Sequence, residues 1–423
     1  MNRRQFVSKT LKAGMIGGTS LVASQSLGKT IQAWKHSRPE EAALDESFWD
    51  EVRRAYQING QFIYLNNGGS SPSSTIAFDD ESHQREVARH APSFFLWRSQ
   101  IRQREQMRRA LGSFLGCDSE SIAILRNTTE ALATVIQGLD LPSGSEVLTT
   151  DQDYPTVLHT LDLYARRRGW KVRKLQLPQP LGSWEDTVSL ISNAFSDQTK
   201  FLLFSDVLFQ TGERMPTQEI CALARQRGIQ VAVDGAHTVG HFQVSPAMLG
   251  CDYFASSLHK WLSAPLGTGM LWVNPEKIAD LWPTIGAVEG QENDIRKFEH
   301  LGTRNLSTEL AIRSAIDFDL QIGADRKLAR LQFLTRYWWE QIQDLPGFTL
   351  KTNLSSPERY GALASFTCPS REERLDSYLL IERNIIIGHS SVGDEHLYRI
   401  SPHVYTAPRD LDKLIEGIHA WLG

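Results

Sequence analysis

Residues 256–269 read SSLHKWLSAPLGTG, and they follow an apolar run, DYFA, that has the composition of a buried strand. A lysine head group is almost never fully buried without a partner, yet Lys260 stands between this run and a glycine-rich turn. A covalent partner would remove the cost of burying the amine. The rest of the sequence indicates which partner that is.

The composition is that of an ordinary globular protein, with 423 residues of which 41% are hydrophobic and 22% charged. This length favours a large domain plus a smaller one. The net charge of −4 and the lack of a nucleic-acid-reading motif argue against a nucleic-acid partner. The four cysteines lack CxxC spacing and the histidines lack HExxH spacing, so we expect neither a disulfide framework nor a bound metal.

The N-terminus has the features of an export signal. Residues 1–28, MNRRQFVSKTLKAGMIGGTSLVASQSLG, begin with a basic region containing Arg3-Arg4 and continue into a mildly apolar run of small residues. They resemble a twin-arginine signal, so we expect a signal peptide over 1–26, the twin-arginine export machinery as a partner, and a periplasmic enzyme. The alternative is a basic, frayed N-terminus. No later apolar run approaches the roughly 20 residues that span a bilayer, so no stable membrane span is expected.

Strands and helices alternate along the chain, which predicts an α/β fold. Apolar β-rich runs occur at 122–126, 145–150, 170–177, 199–208, 229–234 and 268–274, with helical segments such as 155–168 and 217–227 between them. This pattern is typical of a mostly parallel, doubly wound sheet covered on both faces. Ligands of such sheets bind beyond the carboxyl ends of the strands.

The chain is expected to fold as two domains with a cleft between them. Residues 27–60 read as a linker with one helix (EAALDESFWDEVRRAY), 61–305 as the large domain and 306–423 as a smaller α+β C-terminal domain. In the smaller domain the pattern predicts long helices over 308–343, strands near 362–368 and 396–401, and a terminal helix.

Reactive side chains follow the carboxyl ends of the predicted strands. Thr128 and Thr129 open a helix, and a helix N-terminus binds anions readily, although Asn127 or Thr128 could equally be a simple N-cap. The other strand ends carry Tyr154, Asp206, Asp234, His237, Ser257, His259 and Lys260.

One ligand requires this whole set: pyridoxal 5′-phosphate (PLP). Its aldehyde condenses with a lysine amine, which explains Lys260 among apolar neighbours. Its phosphate suits the helix start at 128–129, with help from Ser257 and His259. A buried carboxylate such as Asp234 keeps the ring nitrogen protonated, because an opposite charge nearby raises the pKa of the pyridinium.

The motifs resemble those of the class V aminotransferases of PLP fold type I. The resemblance rests on VDGAHTVGH (233–241) and SSLHKWLSAPLGTGMLWV (256–273), with 26 residues from Asp234 to Lys260, and extends from YLNNGGSSP (64–72) to YRISPHVYT (398–406). It implies that Lys260 binds PLP covalently and moves protons at the substrate Cα, while Asp234 holds the pyridine nitrogen.

The resemblance also implies roles for further residues. Tyr154 would stack on the PLP ring, where many relatives use histidine, and His237 and Asp206 would lie near its O3′ oxygen. Thr303, in HLGTRN, would reach the phosphate of the neighbouring subunit in a homodimer. The phosphate of the subunit's own PLP would be held by Thr128, Thr129, Ser257 and His259.

Two residues are expected to contact the substrate. Arg399 matches the arginine that binds a substrate carboxylate, for which a bidentate guanidinium is well shaped; the alternative is a salt bridge between domains. Asn67 in LNNGG is expected to touch the substrate, the alternative being a turn residue. Trp97 and Arg98 either line the pocket or pack at a subunit interface.

The loop before the final strands bears on the reaction. Cysteine desulfurases of this family need a thiol there, whereas IIIGHSSVGDEHLYR (385–399) has Ser390 and Ser391, which disfavours a desulfurase. The LNNGG and NTTEA (127–131) motifs resemble the isopenicillin N epimerase-like branch, whose members catalyse several reactions. A second resemblance is to periplasmic PLP enzymes that modify the glutamyl group of pyoverdine-type siderophore precursors.

Our leading hypothesis is therefore a periplasmic PLP enzyme that acts at Cα of an amino acid or a peptide-borne aminoacyl group by transamination. The alternatives are epimerisation or oxidative decarboxylation without amino transfer, and a non-catalytic binding protein, which would require a broken site.

Overall fold

The computed structural model describes residues 38–392 and 395–423, so the predicted signal peptide and the start of the linker lie outside the described residues. The helices are α1 Pro39–Leu44, α2 Glu46–Arg53, α3 Thr75–His90, α4 Pro92–Phe94 (continued by a π-helical segment, Phe95–Gln100), α5 Ile101–Leu115, α6 Thr128–Gly138, α7 Pro155–Arg168, α8 Trp184–Asn193, α9 Thr217–Gln226, α10 Pro246–Leu249, α11 Ser307–Leu310, α12 Ile312–Ile322, α13 Ala324–Ile342, α14 Leu375–Arg383 and α15 Pro408–Leu422. Among the described residues, none of these helices is long and apolar enough to cross a membrane.

The strands are β1 Ile63–Tyr64, β2 Ile122–Leu125, β3 Glu146–Thr150, β4 Lys171–Leu175, β5 Thr199–Ser205, β6 Gln230–Asp234, β7 Tyr253–Ser257, β8 Gly269–Val273, β9 Thr349–Leu350, β10 Ala364–Thr367, β11 Ile385–Ile386, β12 Gly388–Val392 and β13 Glu395–Ile400. Each strand predicted for the large domain lies within three residues of its expected ends.

In the described part of the chain, seven strands form the sheet of the large domain, in the order β2-β8-β7-β6-β5-β3-β4. Strands β7, β6, β5, β3 and β4 pair in parallel, whereas β8 pairs antiparallel with both β7 and β2. An apolar core lies on each face of the sheet, under α5 and α9 on one side and α6 and α7 on the other. The predicted mostly parallel, doubly wound α/β sheet is confirmed.

The smaller domain combines helices with an antiparallel sheet of order β12-β13-β10-β9. Its core lies between this sheet and helices α13, α14 and α15, and contains Trp338, Phe366 and Trp421. The α+β character expected for the C-terminal region is confirmed.

The helices predicted at 41–56 and 308–343 are each interrupted. The first divides into α1 and α2, because the Asp45 side chain accepts hydrogen bonds from the N–H groups of Ser47 and Phe48 and caps a new helix. The second divides into α11, α12 and α13, with Gly323 between the last two. Its φ of +86° suits glycine and ends α12.

The segment that follows the N-terminal helices belongs with the small domain. Strand β1 pairs in parallel with β11, and Asn66 forms an isolated bridge with Ser401. Residues 63–66, which we placed in the large domain from the sequence, are therefore held by the small domain. This pairing brings the LNNGG loop to the cleft, beside the end of β13.

Candidate active site

A pocket of about 370 Å³ opens beyond the carboxyl ends of β5, β6 and β7, where the hairpin of β12 and β13 from the small domain meets the large sheet. Of the residues predicted from the sequence, it brings together Thr128, Thr129, Tyr154, Asp234, His237, Ser257, His259, Lys260 and Arg399. The structure also adds Gly68, Phe209 and Ser390 to the wall.

Lys260 lies just after β7, with its Nζ 3.2 Å from Nε2 of His237. Burial and, to a smaller extent, the positive charge of Arg399 lower the pKa of its amine to about 8, while Asp234 acts in the opposite direction. A lysine at this position has a much larger neutral fraction at neutral pH than a lysine in water. The neutral amine is the form that attacks an aldehyde.

Asp234 ends β6 and accepts a hydrogen bond of 2.9 Å from the N–H of Ala236. Burial raises the pKa of its carboxyl group, whereas that hydrogen bond and the charge of Lys260 lower it. A cationic ring nitrogen placed against this carboxylate would favour the ionised form, as opposite charges do. Asp234 therefore fits the role expected of it.

The anion site consists of the start of α6 and the end of β7. Asn127 caps the helix by accepting from Glu130 N, so the N-cap reading is correct for Asn127, while Thr128 and Thr129 line the pocket. Ser257 Oγ lies 3.0 Å from Thr128 N and 2.8 Å from Thr128 Oγ1. Hydroxyl groups therefore stand at the positive end of a helix dipole, where a phosphate binds favourably.

His259 extends the anion site at its edge. Its Nδ1 lies 2.9 Å from the carbonyl oxygen of Thr268, which can only accept, so Nδ1 carries a proton. Burial lowers the pKa of this imidazole. A phosphate dianion bound at Nε2 would raise the pKa of His259 and favour the imidazolium form.

Arg399 projects from β13 into the same pocket and is held from two sides. Its Nη1 donates to the carbonyl oxygen of Phe209 at 2.6 Å, and its Nη2 donates to Oδ1 of Asn66 at 3.0 Å. Its Nε is buried and has no hydrogen-bond partner among the described residues. A guanidinium with spare donor capacity in a pocket without a facing salt-bridge carboxylate fits the binding of a ligand carboxylate better than a salt bridge between domains.

Tyr154 precedes α7 and is 43% exposed, with its ring edge-on to Phe209 at a centroid separation of 5.5 Å. Phe209 is the residue whose carbonyl oxygen holds Arg399. The aromatic wall and the guanidinium are thus fixed to each other, and a ring stacked on Tyr154 would lie close to a carboxylate bound by Arg399.

Two of the predicted site residues do not reach the pocket. Asp206 is fully buried and accepts hydrogen bonds from the hydroxyl groups of Thr217 and Thr238, so it fixes the segment after β5 instead of facing the ligand. Asn67 bonds to Ser401 O and to the hydroxyl of Tyr405, and it is also fully buried.

The neighbour of Asn67 contacts Arg399 and does not line the pocket either. Asn66 Oδ1 accepts a hydrogen bond from Nη2 of Arg399, whereas the Asn67 side chain contacts Ser401 and Tyr405. The LNNGG motif identified the segment correctly, but the segment reaches the pocket through Gly68 and not through an asparagine.

Thr303, Trp97 and Arg98 also lie outside this pocket. All three are exposed on the chain's own surface. Because Trp97 and Arg98 are not part of the pocket wall, the pocket-lining interpretation is wrong for them within one subunit. The role of Thr303 in a neighbouring subunit stays a prediction.

Comparison with known proteins agrees with this geometry. Residues 63–414 match the family model described as aminotransferase class-V. The chain belongs to the class V aminotransferase family. Isopenicillin N epimerase from Streptomyces clavuligerus is 30% identical over 396 residues, covering 89% of this chain and 98% of that protein. Cysteine desulfurase from Salmonella agona is 26% identical and covers 87% of this chain and 96% of its own.

The fold agrees with solved structures as well. A C-DES mutant with glycine covalently linked to its PLP cofactor matches with a TM-score of 0.77 at 22% sequence identity, covering 86% of this chain and 98% of that chain. As a class V enzyme of the isopenicillin N epimerase-like branch, the protein depends on PLP. The pocket fits this cofactor: a lysine of lowered pKa, a buried carboxylate and an anion site at a helix start line one cavity.

Gly269 tests the anion site. A Cβ added to Gly269 would lie 2.6 Å from the Cα of Asn127 and 2.7 Å from its N, so the start of α6 must move. We expect Gly269→Ala to lower the affinity for PLP by about tenfold or more, the loss of about one charge-assisted hydrogen bond, as measured by equilibrium dialysis. Gly286→Ala, whose Cβ would meet open space, is the matched control. Equal affinity in both variants would contradict the assignment.

Lys260 predicts a pH dependence. Only the neutral amine reacts with the aldehyde, so the rate of PLP attachment to the cofactor-free chain should rise with pH and reach half its maximum near pH 8, the lowered pKa of Lys260. The visible absorbance of the product measures this rate. Arg399→Gln removes a charge that disfavours the ammonium form, so it should move the midpoint upward. A wild-type midpoint near the ordinary lysine value of 10.5 would refute this description.

Proposed function

We propose that this protein is a periplasmic PLP-dependent aminotransferase that acts at the Cα of an amino acid or a peptide-borne aminoacyl group, with a glutamyl group as the leading candidate. The observation that carries the proposal is the placement of Lys260 and Arg399 in one pocket with the anion site. This arrangement supports a substrate with an amino group and a carboxylate on the same carbon.

Each residue has a definable task in this proposal. Arg399 binds the substrate carboxylate through its free donor capacity, and so fixes which way Cα faces. Bound PLP supplies an electron sink that stabilises negative charge at Cα. Lys260 Nζ, in its neutral form, removes the proton from Cα as general base, and the lowered pKa enlarges the fraction of the amine in that form.

Transamination needs one acid–base group that works from one side, because the proton leaves Cα and the carbon becomes planar. Lys260 fills this role without a second partner. The pocket wall argues against a cysteine desulfurase, because Ser390 lines it and no cysteine among the described residues does. A serine hydroxyl cannot take up a sulfur atom as a persulfide.

Epimerisation is a second candidate, favoured by the 30% identity to isopenicillin N epimerase over almost the whole of that protein. Inversion at Cα requires a proton to return from the side opposite to its removal. Tyr154, which lines the pocket, is our candidate for the donor of this proton. Its hydroxyl therefore separates the two reactions.

The experiment compares wild-type, Tyr154→Phe and Lys260→Ala proteins with glutamyl donors in deuterated water. Transamination predicts a keto product, conversion of bound PLP to its amino form, and activity of Tyr154→Phe within about tenfold of wild type. Epimerisation predicts no keto product, deuterium at an inverted Cα, and a loss of about 10² or more in Tyr154→Phe, as for a missing general acid.

Lys260→Ala is the reference in which chemistry at Cα is abolished under either reaction, with folding checked by circular dichroism. A folded wild-type protein that changes neither the absorbance of bound PLP nor any donor would refute the proposed function. Keto product from Lys260→Ala at the wild-type rate would refute the role given to the lysine.

The cellular setting is part of the same proposal. The Arg3-Arg4 region and the small-residue run that follows it support export by the twin-arginine pathway. The exposed position of Thr303, away from its own pocket, supports a homodimer in which it reaches the phosphate of the neighbouring subunit.

Export has a direct test. Replacing both arginines, as Arg3→Lys with Arg4→Lys, should retain the protein in the cytoplasm, because the receptor reads the arginine pair and not merely positive charge. Cell fractionation and immunoblotting measure the distribution, with Lys9→Arg as a control that also leaves the net charge unchanged. Equal periplasmic fractions of the double variant and the wild type would refute this part of the proposal.

A further inference from the structure

Trp261 follows Lys260 directly and is fully buried behind it. Its ring is stacked between His241, at a centroid distance of 4.1 Å and 25°, and His403, at 5.7 Å and 5°. Its carbonyl oxygen accepts from Nζ of Lys327. The indole is therefore fixed in position and orientation by its surroundings.

The indole N–H of Trp261 points at His237. Trp261 Nε1 lies 3.2 Å from His237 Nδ1, and the other ring nitrogen of His237, Nε2, lies 3.2 Å from Lys260 Nζ. An indole nitrogen can donate a hydrogen bond and cannot accept one. Nδ1 of His237 must therefore be unprotonated to receive it.

His237 itself is a neutral imidazole. Burial lowers its pKa well below the ordinary value, and the positive charges of Lys260 and Arg399 and the neighbouring His241 act in the same direction. A neutral imidazole carries one proton on one of its two nitrogens. Because Trp261 occupies Nδ1, that proton lies on Nε2.

We propose that Trp261 is a positioning residue that holds His237 in the Nε2–H tautomer, and so directs a hydrogen-bond donor toward Lys260 Nζ. The assignment concerns the chain's own residues and holds whichever reaction the pocket performs. The same Nε2–H group of His237 would also be available as a donor if it faced the O3′ oxygen of bound PLP.

A second histidine supports the geometry from behind. His241 Nδ1 lies 2.9 Å from the carbonyl oxygen of His237, and His241 Nε2 receives the N–H of Ala362 at 2.8 Å. His241 is thereby fixed in the opposite tautomer, with its proton on Nδ1. It holds the backbone of His237 while Trp261 holds the ring.

The tautomer affects which form of Lys260 is favoured. An Nε2–H group can donate to the lone pair of a neutral amine, and it repels the N–H groups of an ammonium ion. The charged groups that face Lys260 are Asp234, which favours the ammonium, and Arg399, which disfavours it. Trp261, acting through His237, adds to the effect of Arg399.

Nitrogen-15 NMR of the full-length protein labelled at histidine tests the tautomer directly, with His237→Gln to assign the signal. The wild type should show His237 with a protonated Nε2 and an unprotonated Nδ1. In Trp261→Phe, which keeps an aromatic ring and removes the donor, the Nδ1–H form should become populated. A wild-type His237 protonated at Nδ1 would overturn the proposal without the need for any variant to fold.

The second readout is the pH dependence of PLP attachment. Trp261→Phe should raise its midpoint by about one pH unit, since an acceptor at Nε2 can then stabilise the ammonium ion by about one hydrogen bond. Trp338→Phe is the matched control: Trp338 is fully buried in the small domain, and its indole N–H has no partner among the described residues. Its midpoint should equal that of the wild type.

A double variant separates positioning from packing. Phenylalanine at position 237 keeps a ring but has no nitrogen that can accept from Trp261 or donate to Lys260. Adding Trp261→Phe to His237→Phe should therefore move the midpoint by much less than it does in the histidine protein, whatever the midpoint of His237→Phe itself. An equal shift in both backgrounds, or no shift in either, would overturn the proposal.

Discussion

The pocket depends on the burial of two cationic side chains, Lys260 and Arg399, in one cavity that Asp234 also lines. Burial lowers the pKa of both bases, to about 8 for the lysine and about 10 for the arginine, and each charge disfavours a second one nearby. The site therefore favours anionic groups on its ligands and a neutral lysine. A phosphate at the start of α6 and a carboxylate at Arg399 are such anionic groups. Covalent attachment of PLP would remove the need to bury the lysine amine as an ammonium ion.

The two halves of the pocket come from different domains, and a few contacts set their relative position. The large sheet contributes Lys260 and Asp234, whereas Arg399 reaches in from β13 of the small domain. The carbonyl oxygen of Phe209 joins these halves by accepting from Arg399. Asn66, in the segment paired with β11, holds the same guanidinium from the small-domain side. Substrate recognition is thus tied to the docking of the domains, so a change at their interface would alter binding as well as stability.

The fold by itself allows several reactions, and its relatives include an epimerase and cysteine desulfurases. The residues in the pocket wall bear on which reaction this chain catalyses. Ser390 stands on the small-domain hairpin that lines the pocket, and Tyr154 forms the aromatic side next to Phe209. Behind the lysine, the indole of Trp261 and the imidazole of His237 form a hydrogen-bonded pair. The chemistry at Cα depends on which of these groups can donate or accept a proton, and on which side.

The layers of the fold and the centre of the site could be predicted from local sequence patterns. Buried parallel strands appear in a sequence as short apolar runs. The residues that follow such strands lie at one edge of the sheet, so Thr128, Asp234 and Lys260 could be placed together. The direction of individual side chains, and contacts between residues distant in the chain, could be read only from the folded protein. Asn67 is held by Ser401 and Tyr405 of the small domain, and Asp206 accepts hydrogen bonds from two threonine hydroxyl groups, so neither side chain reaches the pocket. The donor role of the Trp261 indole depends on its contact with His237, 24 residues away in the chain, which exists only in the folded protein. Local sequence patterns show which segments are buried and whether apolar residues repeat with the period of a strand or a helix. The direction of a single side chain depends on partners that are distant in the sequence and come close only in the folded protein.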